Sequence, residues 1–200
     1  MQGKGKIVFS NLSNDTQEIK GKVNNFPENE LKSIFAKGSF QFNTIKVDEL
    51  DLRGRFTGDL IYSINSILKG SFSIGKLFSS QTCEIFFGND CNFDAIECAI
   101  LNICPIEISD ESEINSAIDF LEDMIGIRIP KGKFVTKREI HVNTVKSNTV
   151  NLKDAHVDFI ACKKLNADGC RIRKVIYETE CNLNNCNDDV VVEKIPLFIS

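Results

Sequence analysis

A short phrase, a basic residue followed by glycine, returns along the first half of the chain at a nearly constant spacing. The repeat glycines are Gly21, Gly38, Gly54, Gly70 and, in a looser fifth copy, Gly88. The intervals between them are 17 (21 to 38), 16 (38 to 54), 16 (54 to 70) and 18 (70 to 88). The first four glycines have an apolar residue two positions away on both sides. This period is too short for a pair of helices and too long for one hairpin strand with its turn.

The period instead fits one coil of a β-solenoid, which makes short strands and returns about 4.8 Å further along the axis. Glycine tolerates positive φ and therefore allows the chain to bend. The apolar residues two positions before and after it point inward, because successive side chains of a strand alternate between its two faces. One coil cannot bury its own core, so stacking must stabilise it. Residues 1–20 are expected to form an irregular first coil or a cap. A run of antiparallel hairpins with evenly spaced turn glycines is the alternative that the repeat leaves open.

The alternation of apolar and polar residues divides the chain into two strand-rich blocks. We predict an N-terminal β-solenoid block over 1–108 and a C-terminal block over 131–200, and leave open whether they form one continuous solenoid. Between them, residues 109–130 form a predicted helical insertion. Apolar residues at i, i+3, i+4, i+7 and i+11 from Ile114 indicate a helix around 111–125, which packs on the solenoid or on a second copy. The predicted fold class is all-β, interrupted by this helix.

The net charge of -4 is unevenly distributed. Basic and acidic residues number 11 and 8 over 1–80, 1 and 11 over 81–130, and 12 and 9 over 131–200. An acidic middle argues against nucleic-acid binding by the chain as a whole, whereas attraction between copies is electrostatically reasonable. No stretch resembles a signal peptide or a membrane span, so we expect a cytoplasmic location and leave membrane association open.

Eight cysteines are spread over residues 83–186 without any Cys-x-x-Cys pair. In a cytoplasmic chain we expect reduced thiols, and small buried core residues are the preferred interpretation over metal or redox chemistry. Cys181 and Cys186 are the closest pair, but no histidine stands near them. The cysteines are Cys83, Cys91, Cys98, Cys104, Cys162, Cys170, Cys181 and Cys186.

The basic residues before the first four glycines would form a column along one edge if the coils stack in register. They are Lys20, Lys37, Arg53 and Lys69. Cations about 5 Å apart repel each other, so the column needs nearby acids or an anionic partner. The acids close in sequence are Asp48, Glu49, Asp51 and Asp59. A solvated corner is one interpretation of this basic edge, and weak contact with a membrane, a cell-wall polymer or a partner is the other.

No catalytic or cofactor-binding pattern is evident. The chain has no phosphate loop, dinucleotide fingerprint, nucleophile elbow or metal-ligand spacing. Its two histidines, His141 and His156, stand at outward positions of alternating strands with no evident catalytic partner. We therefore predict no enzyme activity, no cofactor and no metal site.

Two stretches carry a more specific pattern than the repeat alone. The first is residues 68–74 followed by Leu77, Ile85, Gly88, Cys91 and Ile96. The second is residues 150–152 followed by residues 155–157, 169–172 and 175–177. With the repeats, these stretches resemble the bactofilin, or polymer-forming cytoskeletal, family, most closely its larger cytoplasmic members in Gram-positive bacteria.

The resemblance implies a right-handed β-helix that polymerises through its ends without nucleotide and supports cell shape, wall synthesis or motility machinery. Its partners would be copies of itself and, as an open possibility, a paralogue. The alternative is a monomeric or dimeric adaptor that binds an anionic partner or membrane through the basic edge. An uncovered end coil would favour self-association, whereas caps at both ends would favour the adaptor.

Overall fold

The computed structural model describes residues 1–11, 15–24, 31–88, 90–106 and 138–196. These ranges contain strands and no helix. The strands are β1 Gln2–Asn11, β2 Thr16–Val23, β3 Leu31–Phe87, β4 Cys91–Pro105, β5 Ile140–Lys153, β6 His156–Asp168, β7 Arg171–Asn184 and β8 Val191–Lys194. The prediction of an all-β solenoid is confirmed. The helix predicted for 111–125 lies outside the described residues, as does the insertion 109–130, so the helical part of the prediction is not borne out.

All pairings from β3 to β8 are parallel, as expected when successive coils of one solenoid stack on each other. The two predicted blocks join directly, because β4 pairs with β5 in parallel from Cys91 opposite Ile140 to Ile103 opposite Leu152. The described strands therefore form one continuous sheet in the order β2-β1-β3-β4-β5-β6-β7-β8. β5 takes the place of the coil after β4, although residues 106–139 stand between them in sequence.

The first two strands form an antiparallel hairpin that covers the N-terminal end. β1 pairs antiparallel with β2 on one side and with the start of β3 on the other. Gly5 lies opposite Gly21 in the first pairing and opposite Gly38 in the second. The interpretation of Gly21 as the glycine of a first coil is therefore wrong, because spacing alone does not report strand direction. The hairpin alternative holds for these strands only.

The glycine column is a place of close backbone approach. The φ angles of Gly38, Gly54 and Gly70 are 139°, 129° and 139°. A Cβ atom on Gly54 would lie 2.1 Å from the carbonyl oxygen of Gly38, and one on Gly70 would lie 2.0 Å from that of Gly54. Gly88 continues the column and donates its N–H to the Gly70 carbonyl at 2.7 Å. Both the conformation and the space thus select glycine at Gly54 and Gly70.

Inward-facing apolar side chains stack in columns that run the length of the sheet. Phe40, Phe56, Phe72 and Phe93 form one such column, with successive ring centroids 5.6, 6.0 and 6.4 Å apart. All four are buried. Aromatic pairs at such distances add to the free energy of burial. The phenylalanine-filled core expected from the alternation is found in β3 and β4, and aliphatic residues, Val142, Val157 and Ile172, continue the column in β5, β6 and β7.

From residue 90 onward, aspartate and asparagine occupy several corners. Asp90, Asp154 and Asn185 have φ angles of 51°, 53° and 51°, and Gly169 has 64°. Aspartate and asparagine tolerate this left-handed conformation better than other side chains do. The later coils keep the same stacking but use aspartate and asparagine at corner positions, which accounts for the scarcity of glycine after residue 88.

An asparagine ladder ties the later coils together on the outer face. Asn151 donates its side-chain amide to Asn102 at 2.8 Å, Asn166 to Asn151 at 3.0 Å, and Asn182 to Asn166 at 2.9 Å. These three hydrogen bonds link equivalent positions of β4, β5, β6 and β7. The ladder therefore fixes the register from one coil to the next.

Candidate functional site

The sheet ends on the C-terminal side at a strand that is only partly covered. β8 pairs with β7 over a short stretch, from Lys174 opposite Val191 to Tyr177 opposite Lys194. No described strand pairs with the outer edge of residues 178–184. We call β8 together with residues 178–184 the C-terminal end face. An unpaired edge of this kind presents backbone donors and acceptors to any strand that approaches it.

Burial of the inward-facing side chains falls off at this end face. Leu165 and Ala167 of β6 are buried, whereas the next residues in their columns, Cys181 and Leu183 of β7, are only half-buried. The Oε2 atom of Glu178 is enclosed and has no hydrogen-bond partner. The last coil thus exposes part of the core, which a further layer could cover, and it holds a carboxylate oxygen whose hydrogen-bonding capacity is unused.

The first half of β7 is better covered than the second. The Asn187 side chain accepts from the Ile172 N–H at 2.7 Å and donates to the Ile172 carbonyl at 2.9 Å, as a neighbouring strand would. A salt bridge of 2.9 Å from Lys174 to Glu193 holds β8 in place. β8 itself presents an apolar surface, since Val191 is 50% and Val192 42% exposed.

The opposite end has a different character. Its edge strand, β2, carries Glu18, Lys20 and Lys22 at alternate positions and is exposed over most of its length. Lys6 and Lys20 contact Glu18 there, with N–O distances of 3.3 and 2.9 Å. Hydrogen bonds from Lys20 and then Lys6 lower the pKa of Glu18. Charged side chains on an edge strand discourage strand addition, so the hairpin protects this end.

The basic residues predicted to line one edge, Lys20, Lys37, Arg53 and Lys69, lie in a band, but they differ in their acidic partners. Arg53 makes a bidentate contact with Asp51 at 3.0 and 2.8 Å, and its guanidinium lies 5.3 Å from the centre of the Phe35 ring. Lys20 shares Glu18 with Lys6, as described above. Within the described ranges, Lys37 and Lys69 have no carboxylate at ion-pair distance. Of the four candidate acids, Asp51 is the one found paired with the column.

The band is wider than the sequence indicates. Lys6 lies opposite both Lys20 and Lys37, and Lys4 lies opposite Lys22. These lysines join the band only because β1 runs antiparallel between β2 and β3. The missed signal is Lys4-Gly5, a further copy of the basic residue and glycine that stands 16 residues before Gly21 (5 to 21).

The two histidines lie together on neighbouring coils. His141 of β5 is the register partner of His156 of β6, and their ring centroids are 4.5 Å apart. Asp158 lies within 3.4 Å of His141 and 3.8 Å of His156, measured from carboxylate oxygens to Nε2 atoms. Burial and then the neighbouring His141 lower the pKa of His156. The sequence alone indicates no partner for either histidine. The missed signal is the interval from 141 to 156, which equals one coil.

The cysteines are free thiols, and five of the eight are buried. Burial raises the pKa of Cys91 and Cys170 to about 11 and that of Cys98 and Cys162 to about 12. A thiol of this kind carries almost no thiolate at neutral pH. The preferred interpretation of the buried cysteines as small core residues agrees with this environment.

We expect thiol reactivity to divide the cysteines into two groups. At pH 8, a thiol whose pKa is about 11 is ionised to roughly one part in a thousand. In the native protein a disulfide reagent such as DTNB should therefore react readily with the three half-buried thiols, Cys104, Cys181 and Cys186, and with all eight in denaturant. Rapid native reaction of more than three would contradict the described burial.

No family model, curated protein or solved structure matches this chain. The described ranges contain no helix with the length and hydrophobicity that a membrane crossing requires.

Proposed function

We propose that the chain is a non-enzymatic scaffold whose copies self-associate through the C-terminal end face without nucleotide. The observation that carries this proposal is the outer edge of residues 178–184, which no described strand covers. Another copy of the same end would pair that edge and bury Cys181, Leu183 and the valines of β8. Covering apolar surface and pairing backbone groups both favour such a contact.

The difference between the two ends supports a specific first step of assembly. Because β2 is charged along its exposed length whereas β8 exposes two valines beside an unpaired strand edge, two copies should meet through the same C-terminal end face. A contact between identical surfaces gives a closed pair with twofold symmetry. Growth beyond the pair to a polymer then needs a second contact, which a lateral face of the solenoid would supply.

The cellular role follows from the resemblance to the bactofilins, and it is part of the proposal. A paired or polymerised solenoid in the bacterial cytoplasm would support cell shape, wall synthesis or motility machinery. Free thiols throughout the described cysteines are consistent with a reducing compartment.

Sedimentation velocity and electron microscopy of the purified protein, in the absence of nucleotide, test the proposal. We expect species larger than a monomer whose share grows with protein concentration. A strict monomer over all concentrations and salt conditions would overturn it.

The second candidate function is an adaptor that binds an anionic membrane surface through the basic band. The observation that favours it is that Lys37 and Lys69 stand in this band without an acidic partner in the described ranges. Cations near a surface of anionic lipid contribute about 1 kcal/mol each.

The double substitution Lys37→Glu and Lys69→Glu tests the adaptor function. Binding to vesicles that contain phosphatidylserine should fall about 100-fold or more, because each change removes one favourable charge and adds an unfavourable one. Lys146→Glu with Lys164→Glu is the matched control, since both of these lysines are exposed and lie in β5 and β6. Equal binding by the two double variants would show that the band is a solvated corner.

A further inference from the structure

Three potential metal ligands from two neighbouring coils converge on the outer face of the sheet. His156 and Asp158 stand two positions apart on β6, so both side chains lie on the same face. His141 enters the group from β5 because it is the register partner of His156. One ligand atom from each residue lies within 4.8 Å of the others. We propose that His141, His156 and Asp158 bind a divalent transition-metal ion of the zinc class, which departs from the sequence-based prediction of no metal site.

The distances fit this coordination with small side-chain movements. Ligand atoms about 2.05 Å from a tetrahedral ion are roughly 3.4 Å apart. The distance from His141 Nε2 to the nearer Asp158 oxygen is already 3.4 Å, and that from His156 Nε2 is 3.8 Å. The three side chains are 32–49% exposed. They therefore have room for the small rotations that closure around an ion requires.

An unsatisfied nitrogen independently points to a ligand. The Nε2 atom of His141 is enclosed, yet it makes no hydrogen bond, although an oxygen of Asp158 lies 3.4 Å away. A polar atom that is shielded from water without a partner costs free energy. A metal ion in front of this nitrogen would remove that cost.

The donor set selects the kind of ion. Two imidazoles and one carboxylate suit zinc and its neighbours in the first transition row, whereas calcium and magnesium prefer sites made only of oxygen. Three protein ligands leave a fourth position for water. The bound ion would link β5 to β6 across the strand spacing.

Nearby cations limit the expected affinity. Arg171 is the register partner of His156 on β7, and Arg173 also acts on the His156 charge. Their positive charge opposes that of the ion and is only partly offset by Asp158. We therefore expect an affinity in the roughly micromolar range rather than that of a closed structural zinc site.

Isothermal titration of the full chain with zinc chloride, with calcium and magnesium chlorides as comparison ions, tests the proposal. We expect one zinc ion per chain and no measurable calcium or magnesium binding. The substitutions His141→Gln and His156→Gln should each weaken zinc binding about 100-fold, and Asp158→Asn about 10-fold. These side chains are on the surface, so the variants should keep the melting temperature of the wild type without zinc.

Half-buried thiols are the competing zinc ligands, and a triple variant separates them from the proposed site. Replacement of Cys104, Cys181 and Cys186 by serine should leave zinc binding unchanged. Cobalt in place of zinc should give the absorption of nitrogen and oxygen ligation without a sulfur-to-cobalt charge-transfer band. Wild-type affinity in His156→Gln, or loss of binding in the triple serine variant, would overturn the proposal.

Discussion

Gly54→Ala is expected to lower the free energy of unfolding by about 3 kcal/mol, which corresponds to a fall in melting temperature of about 6–12 °C for a chain of this size. The new Cβ would lie 2.1 Å from the Gly38 carbonyl oxygen, and a backbone atom in the middle of a stacked coil cannot easily move away. The φ angle of 129° adds strain of its own. Thermal and denaturant unfolding followed by circular dichroism measure the effect.

Gly21→Ala is the matched control for that substitution. Gly21 also has a positive φ, 101°, but a Cβ there would meet nothing within 4 Å. It should therefore show the conformational cost alone, about 1 kcal/mol. If the two variants lost the same stability, close approach between coils would not be the reason for glycine at residue 54.

Val192→Asp is expected to weaken self-association about 30-fold or more. Val192 lies in the apolar part of the C-terminal end face and is 42% exposed. A carboxylate that is buried in a contact between copies costs about 2 kcal/mol or more, which is the source of the estimate. The Lys174–Glu193 salt bridge remains, so β8 should stay in place. Sedimentation equilibrium over a range of concentrations measures the dissociation constant.

Ile100→Asp is the control for the end-face variant. Ile100 is 41% exposed, almost the same as Val192, but it stands on β4 in the middle of the solenoid. This variant should associate as the wild type does, with both variants retaining the wild-type melting temperature. An equal loss of association in both would indicate a lateral contact and contradict the proposed end contact.

The sequence predicts the coil well where the coil is regular. The constant interval between Gly38, Gly54 and Gly70 reports the length of one turn, and alternation reports which side chains face inward. The spacing of the glycines does not show in which direction each strand runs. Gly5 and Gly21 belong to the same column, yet they sit in antiparallel strands, and only the pairing of β1 with both neighbours shows it.

The candidate sites are harder to predict because they depend on which coils are adjacent. His141 and His156 become neighbours only after one knows that the chain between them makes a full coil, with Asp154 in place of a glycine at the corner. The C-terminal end face is harder still. Leu183 has the sequence context of a core residue, and its partial exposure arises because no described strand stacks beyond it.

The ladder from Asn102 to Asn151 joins residues that are 49 apart in sequence with a hydrogen bond as short as the others, 2.8 Å. The two ends of that excursion also meet, because Arg138 donates to the carbonyl of Ile106. The stacking of β5 on β4 therefore does not depend on how many residues connect the two strands. The position is a natural attachment point, where evolution or an engineer could graft a whole domain onto the rod without disturbing its pitch.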